Sequence, residues 1–90
     1  MHKLITTAEF TSRYRELPTA IKNKLKKQER LFITNPFYPS LHTEKLQPKD
    51  KQYWSFRVDR SYRVLFRFTE HNEILLITVG THDWVYRLLR

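Results

Sequence analysis

The stretch "TVGTHDWVYR", Thr78 to Arg87, gathers residue types that move protons and hold anions close to the end of the chain. It holds the only glycine of the 90 residues, Gly80, followed by His82 and Tyr86. Two arginines upstream, Arg57 and Arg63, lie in segments that alternate like strands. Guanidinium forks match phosphate oxygens bidentately, so two of them side by side ask for a phosphate between them. Histidine titrates near neutral pH and is the usual proton shuttle. Tyrosine stacks on a base or orients a phosphate. Such a set suits cleavage of RNA by its own 2′-hydroxyl. A base takes the hydroxyl proton, the oxygen attacks phosphorus, an acid protonates the leaving 5′ oxygen, and the arginines stabilise the charge that builds on phosphorus. The reaction needs no metal, and the sequence suggests no site for one: the acids are scattered, and His2, His42, His71 and His82 lack ligand spacing. A chain with one glycine has no Gly-rich phosphate loop. A chain without cysteine has no disulfide, thiolate zinc site or cysteine nucleophile.

Those side chains meet only if the elements bring them together. "HKLITT" reads as a first strand. Thr6 with Glu9 fits a capping box that opens a helix to about Leu17, with Phe10, Tyr14 and Leu17 on one stripe. Pro18 suits the first turn of a second helix, where Ile21, Leu25 and Phe32 share a face with Gln28. Lys22, Lys24, Lys26, Lys27 and Arg30 lie largely elsewhere, as a solvated basic face or as a contact surface for RNA backbone. Pro36, Pro39 and Pro48 then impose a connection with two or three turns. Beyond it the period changes to two. "QYWSFRVD", "SYRVLFRF" and "EILLITVG" read as an antiparallel meander with short turns at Arg60 and at His71–Asn72. The predicted fold class is α+β, a single domain over residues 1–90, with two N-terminal helices packed on one face of a small antiparallel sheet.

Alternation assigns Trp54, Phe56 and Val58, then Tyr62, Val64, Phe66 and Phe68, then Leu75, Ile77 and Val79 to the core face. The other face receives Tyr53, Ser55 and Arg57, then Arg63, Leu65 and Arg67, then Leu76, Thr78 and Gly80. A turn centred on Arg60 sets Arg57 opposite Arg63. A two-residue turn at His71–Asn72 sets Arg63 opposite Gly80, with open floor expected over the glycine. His82 then emerges on the arginine face, and Tyr86 follows at i+4. Each of these residues has a plain surface or packing role on its own; their convergence favours a site.

Seventeen lysines and arginines against nine acids give a formal charge of +8, which points to an anionic partner. A 14% aromatic content argues against a disordered basic tail. No long apolar run suggests a leader or a membrane span, so a cytoplasmic protein that does not engage a membrane is expected.

"LHTEKL", "YWSFRVDRSYRVLFRF" and "LLITVGTHDWVYR" together resemble the RelE/ParE superfamily of bacterial toxins from type II toxin–antitoxin systems, over nearly the whole chain. The "VGTHDWVYR" ending is most similar to RelE/YafQ/YoeB-type mRNA interferases. That resemblance implies a ribosome-dependent endonuclease that cuts mRNA in the A site of the 70S ribosome without a cofactor, inhibits translation, and is neutralised by a cognate antitoxin. Position by position, it implies Arg57, Arg63, His82 and Tyr86 as catalytic residues. Lys45 and, less directly, His42 fall where some members contact RNA, and Arg67 joins them as an RNA-binding residue of the arginine face. Where RelE has a pair of lysines this chain has Ser55 and Arg57, which leaves the general base open. Glu44 is a candidate by similarity to the YoeB branch, against its plain role as a loop surface charge. ParE-type relatives poison DNA gyrase without cutting RNA, so a gyrase inhibitor is the rival expectation, and an inactive relative in an autorepressor complex a further one.

Overall fold

The structure, a computed structural model, describes residues 2–89. Strand β1 (Lys3–Thr6) leads into helices α1 (Ala8–Arg15) and α2 (Thr19–Thr34). The connection that follows holds 3₁₀ turns at Pro39–Leu41 and Lys49–Lys51 and, between them, a two-residue strand β2 (Glu44–Lys45). Strands β3 (Trp54–Arg57), β4 (Tyr62–Phe68) and β5 (Glu73–Thr81) come next, and helix α3 (His82–Arg87) ends the fold. Among the described residues the sheet has five strands in the order β1-β5-β4-β3-β2. The meander is antiparallel as expected, but β1 joins β5 in parallel, so the sheet is mixed. The helical crossover between β1 and the meander allows that pairing, which a tight hairpin could not.

The N-cap of α1 falls one residue later than the pattern suggested. Thr6 is consumed by β1, where it pairs with Leu76. Thr7 therefore caps α1, accepting from the Phe10 amide at 2.9 Å and donating its own hydroxyl to the Ile77 carbonyl at 2.6 Å. Glu9 is left to accept from the Thr78 hydroxyl at 3.0 Å and to pair with Arg13. Pro18 likewise sits at the N-cap of α2 rather than inside its first turn. The predicted face of α2 holds: Ile21, Leu25, Gln28 and Phe32 are its buried residues.

That face presses Phe32 onto β3 and β4, with its ring 4.4 Å from Phe56 and 4.9 Å from Phe66. Val58, Val64 and Val79 complete this core as alternation required. Leu75 and Ile77 do not belong to it; Ile74 and Leu76 do, both fully buried. The turn at His71–Asn72 forms where expected, with both residues left-handed. Next to it the Thr69 amide bonds the Glu73 carbonyl, and the register becomes Phe68↔Ile74 and Phe66↔Leu76. A bulge at Ile77 then restores Leu65↔Thr78, Val64↔Val79 and Arg63↔Gly80. A one-residue slip exchanges the two faces, so parity fails between the turn and the bulge and holds beyond it.

The other face of the sheet is partly covered. Helix α3 folds onto it, burying Val85 against Leu65 and Leu46, with Ile77, Trp84 and Leu89 at the margin.

Candidate active site

The arginine pair is set by the β3–β4 turn. Asp59 Oδ1 accepts from the amides of Ser61 at 2.8 Å and Tyr62 at 2.9 Å, and the Val58 amide bonds the Tyr62 carbonyl. Burial works to raise the Asp59 acid, but those amides and Lys24 outweigh it and hold the carboxyl below its ordinary range. The turn thus keeps Arg57 directly opposite Arg63, the predicted register. From the helix side, Gln28 Nε2 donates to the Arg57 carbonyl at 2.8 Å and to the Ser40 carbonyl at 3.1 Å, pinning the end of β3.

Arg63 Nη1 donates to the carbonyls of Asp59, Tyr62 and Arg60 at 2.8, 3.0 and 3.3 Å. Burial, and then the charge of Arg57, hold its guanidinium below the usual arginine value. Arg57 is half-buried, and its Nε is a buried donor without a hydrogen-bond partner among the described residues. Two facing cations with an unsatisfied donor could be relieved by an anion, because directly opposed like charges are unfavourable.

Helix α3 carries His82 and Tyr86. The Thr81 hydroxyl caps it, accepting from the Trp84 amide, and the His82 amide donates to the Ser61 carbonyl at 2.7 Å. His82 and Tyr86, one turn apart, stack with ring centres 4.2 Å apart and planes at 23°. The His82 Nδ1 lies 3.2 Å from Asp83 Oδ1. On the far side of Tyr86, its hydroxyl donates to Glu44 Oε1. Burial and then Glu44 push the phenol above its ordinary value, although Ser55 and Arg63 pull the other way, so Tyr86 stays protonated at neutral pH. A cleft of about 640 Å³ opens beside Arg63 and His82, lined also by Arg60, Ser61, Asp83 and Arg87.

Arg57, Arg63, His82 and Tyr86 therefore come together. Glu44 and Ser55 join them, paired across β2 and β3 on the same face. Glu44 stands exposed on β2 with its carboxylate on Tyr86. Gly80, in contrast, leaves no open floor. A Cβ there would collide with the Trp84 indole and come within 2.9 Å of Cζ3, and the Arg13 guanidinium covers that indole at 3.9 Å. Lys45 is not brought to the arginines. It pairs with Trp54 across the strands, and its ammonium lies 5.9 Å from that ring, on the opposite face of the sheet. His42 stands exposed at the left-handed residue that closes the Pro39–Leu41 turn. Arg67 is exposed on the arginine face, over Tyr53, with the buried Leu65 between it and Arg63. Alternation could not place Glu44, because a two-residue strand has no period. The position of Gln28 on an apolar helix face was the available sign of its anchoring role.

A sequence model of the family described as "RelE-like toxin of type II toxin-antitoxin system HigB" matches residues 3–82. No curated protein sequence matches the chain. Among solved structures, the YoeB/ParE toxin from Agrobacterium tumefaciens is similar with a TM-score of 0.75 at 21% identity, over 89% of this chain and 98% of that one. YafQ from E. coli strain BL21(DE3) gives 0.75 at 20% identity, over 96% and 99%. The RelB–RelE antitoxin–toxin complex from Methanococcus jannaschii gives 0.74 at 16% identity, over 96% and 99%. At these identities the structural likeness establishes the fold.

Proposed function

The chain belongs to the RelE-like toxins of type II toxin–antitoxin systems, and we propose that it arrests translation by cutting mRNA in the A site of the 70S ribosome. The observation that carries this reading is the facing pair Arg57 and Arg63, with an unpartnered donor, flanked by His82 on one side of Tyr86 and Glu44 on the other. Glu44 takes the 2′-hydroxyl proton as the 2′ oxygen bonds to phosphorus. His82 delivers a proton to the 5′ oxygen as its bond to phosphorus breaks. The arginines hold the non-bridging oxygens, whose negative charge grows in the transition state. Tyr86 orients both partners: its ring packs on the imidazole and its hydroxyl holds the carboxylate.

An open site, divided between the cleft at Arg63 and His82 and a second hollow at Glu44 and Tyr86, gives little surface for aligning a flexible strand in line, and the ribosome supplies that alignment. Lys45, His42 and Arg67 are RNA contacts outside the cleft in this reading. The partner that silences the toxin is a cognate antitoxin with acidic character, in keeping with the charge of +8; the structural neighbours include the DinJ–YafQ and RelB–RelE complexes. Translation is a cytoplasmic target, so the toxin acts there. Among the described residues no helix is long and apolar enough to cross a membrane.

The test is induced expression of His82→Ala beside the wild type. Loss of a proton-transfer group costs about 10²–10⁴ in rate, so the folded variant should permit growth with mRNA intact. A folded His82→Ala protein that still stops growth, or a wild type that breaks DNA and leaves mRNA whole, would overturn the assignment.

A further inference from the structure

We propose that the aromatic cluster on the helix side of the sheet edge, around Phe37 and Trp54, is a stacking subsite for a nucleotide that flanks the cut, reached by single-stranded RNA passing around strand β2. The inference rests on the RNA-cutting reading and adds a second place where the substrate is held.

Phe37 is 56% exposed and Tyr38 43%, although a small domain normally hides such rings. Phe37 is also ordered by its neighbours: its ring lies 5.8 Å from Trp54 and 6.0 Å from Phe68, while Trp54 and Phe68 meet edge-to-face at 5.2 Å. The rings thus form a braced platform with an outward side. Its charge is positive. Lys45 lies over Trp54, and the hairpin loop just beyond adds the exposed Lys49 and Lys51 against a single acid, Asp50. Glu44, the neighbour of Lys45, points to the other face.

Strand β2 explains why this platform and the cleft can serve one ligand. It is the outermost strand, with one residue for each face: Glu44 beside Tyr86 and the arginines, Lys45 beside Trp54. A strand leaving the arginine pair past Glu44 crosses only β2 before it meets a cation and a ring. Cations that track the backbone, with rings that take bases, are how single strands are held without sequence readout. The same geometry reconciles an RNA contact at Lys45 with its distance from the arginines.

The experiment measures binding of 2′-O-methyl RNA, which cannot be cut, to the full chain at low ionic strength. A dinucleotide spanning the cut position is compared with a longer strand, for wild type, Phe37→Leu and Phe37→Trp. Phe37→Leu keeps an apolar side chain without a π-face; it should weaken the longer strand by about 5- to 100-fold and leave the dinucleotide unchanged. Phe37→Trp should restore the affinity. Equal affinity of wild type and Phe37→Leu for the longer strand overturns the subsite, as does a wild type that binds no RNA. Loss of binding to an acidic antitoxin peptide, with RNA binding intact, overturns it in favour of a protein interface. Cleavage by the same proteins is read separately: a Phe37 effect on binding in a protein that cuts nothing keeps the subsite and removes the cutting reading.

Discussion

The two faces of the sheet are built by different means. The helix face is a thick aromatic core, where Phe32 of a 16-residue helix packs on Phe56 and Phe66 and all three are fully buried. Among the described residues the apolar side chains buried on the arginine face are Leu46, Leu65 and Val85, the last on a helix of six residues. A helix that short does not hold itself together; it depends on the few contacts beneath it. Yet this thinner face carries the opposed arginines, a buried donor without a partner among the described residues, and the side chains of His82, Tyr86 and Glu44. The thick core lies on one side of the sheet and the candidate site on the other, and the two meet at Gln28, which reaches from α2 to the backbone of Arg57.

Four substitutions can break or sharpen that contrast. Phe32→Ala should cost about 3–5 kcal/mol, measured by denaturant unfolding, and should abolish fold and toxicity together. Gly80→Ala strikes the thin face by driving a methyl into Trp84. Overpacking of this kind costs about 1–3 kcal/mol; the main core should survive in circular dichroism while α3 is displaced and cleavage is lost. If Gly80→Ala unfolds the protein as fully as Phe32→Ala, the faces are one cooperative unit and the contrast fails. Arg63→Ala removes a like-charge contact and also bonds to three carbonyls, so stability should change by less than about 1 kcal/mol. RNA binding should weaken, with a salt slope smaller by about one. A large fall in melting temperature would make Arg63 structural.

The smallest effect belongs to Glu29 on α2, whose acid is pushed above its ordinary 4.5 by burial, against the pull of Lys26. The folded protein then holds that proton more tightly than the unfolded chain. Stability contributed by the protonated acid is complete below pH 4.5 and is lost as pH rises through the folded value. Glu29→Gln should therefore melt slightly higher than wild type at pH 7 and equally at pH 4. A lower melting point at pH 7 would mean that the carboxylate is paired.

The same contrast governs what the sequence discloses. Helix-face positions follow from period alone: Ile21, Leu25, Gln28 and Phe32 fall where 3.6-residue spacing puts them. On β5 a period of two fails between the turn and Ile77, because an irregularity at Thr69–Glu73 and the bulge offset each other. The offset is complete at Arg63↔Gly80, which is why simple turn counting finds the site end of the strand and misassigns Leu75 and Ile77. Residues placed by tertiary contact leave no periodic trace. Trp84 fills the space over Gly80 through a helix that folds back, and Glu44 and Lys45 are separated onto two faces by a strand too short to have a pattern. In sequence the capping box of Thr6 with Glu9 is the better start signal; the pairing of Thr6 with Leu76, which no local pattern shows, passes the cap to Thr7.

Metal-free cleavage by the RNA's own 2′-hydroxyl is tested most directly by mapping fragment ends. The protein is given assembled, chelator-tolerant ribosomes carrying mRNA, with EDTA present, and the fragments are read by mass spectrometry. The upstream fragment should end in a 2′,3′-cyclic or 3′-phosphate and the downstream one in a free 5′-hydroxyl, and a 2′-deoxy nucleotide at the cut position should stop the reaction. A 5′-phosphate product, cutting at the deoxy position, or a need for added Mg²⁺ in the chemical step would contradict the roles given to His82, Glu44 and the two arginines.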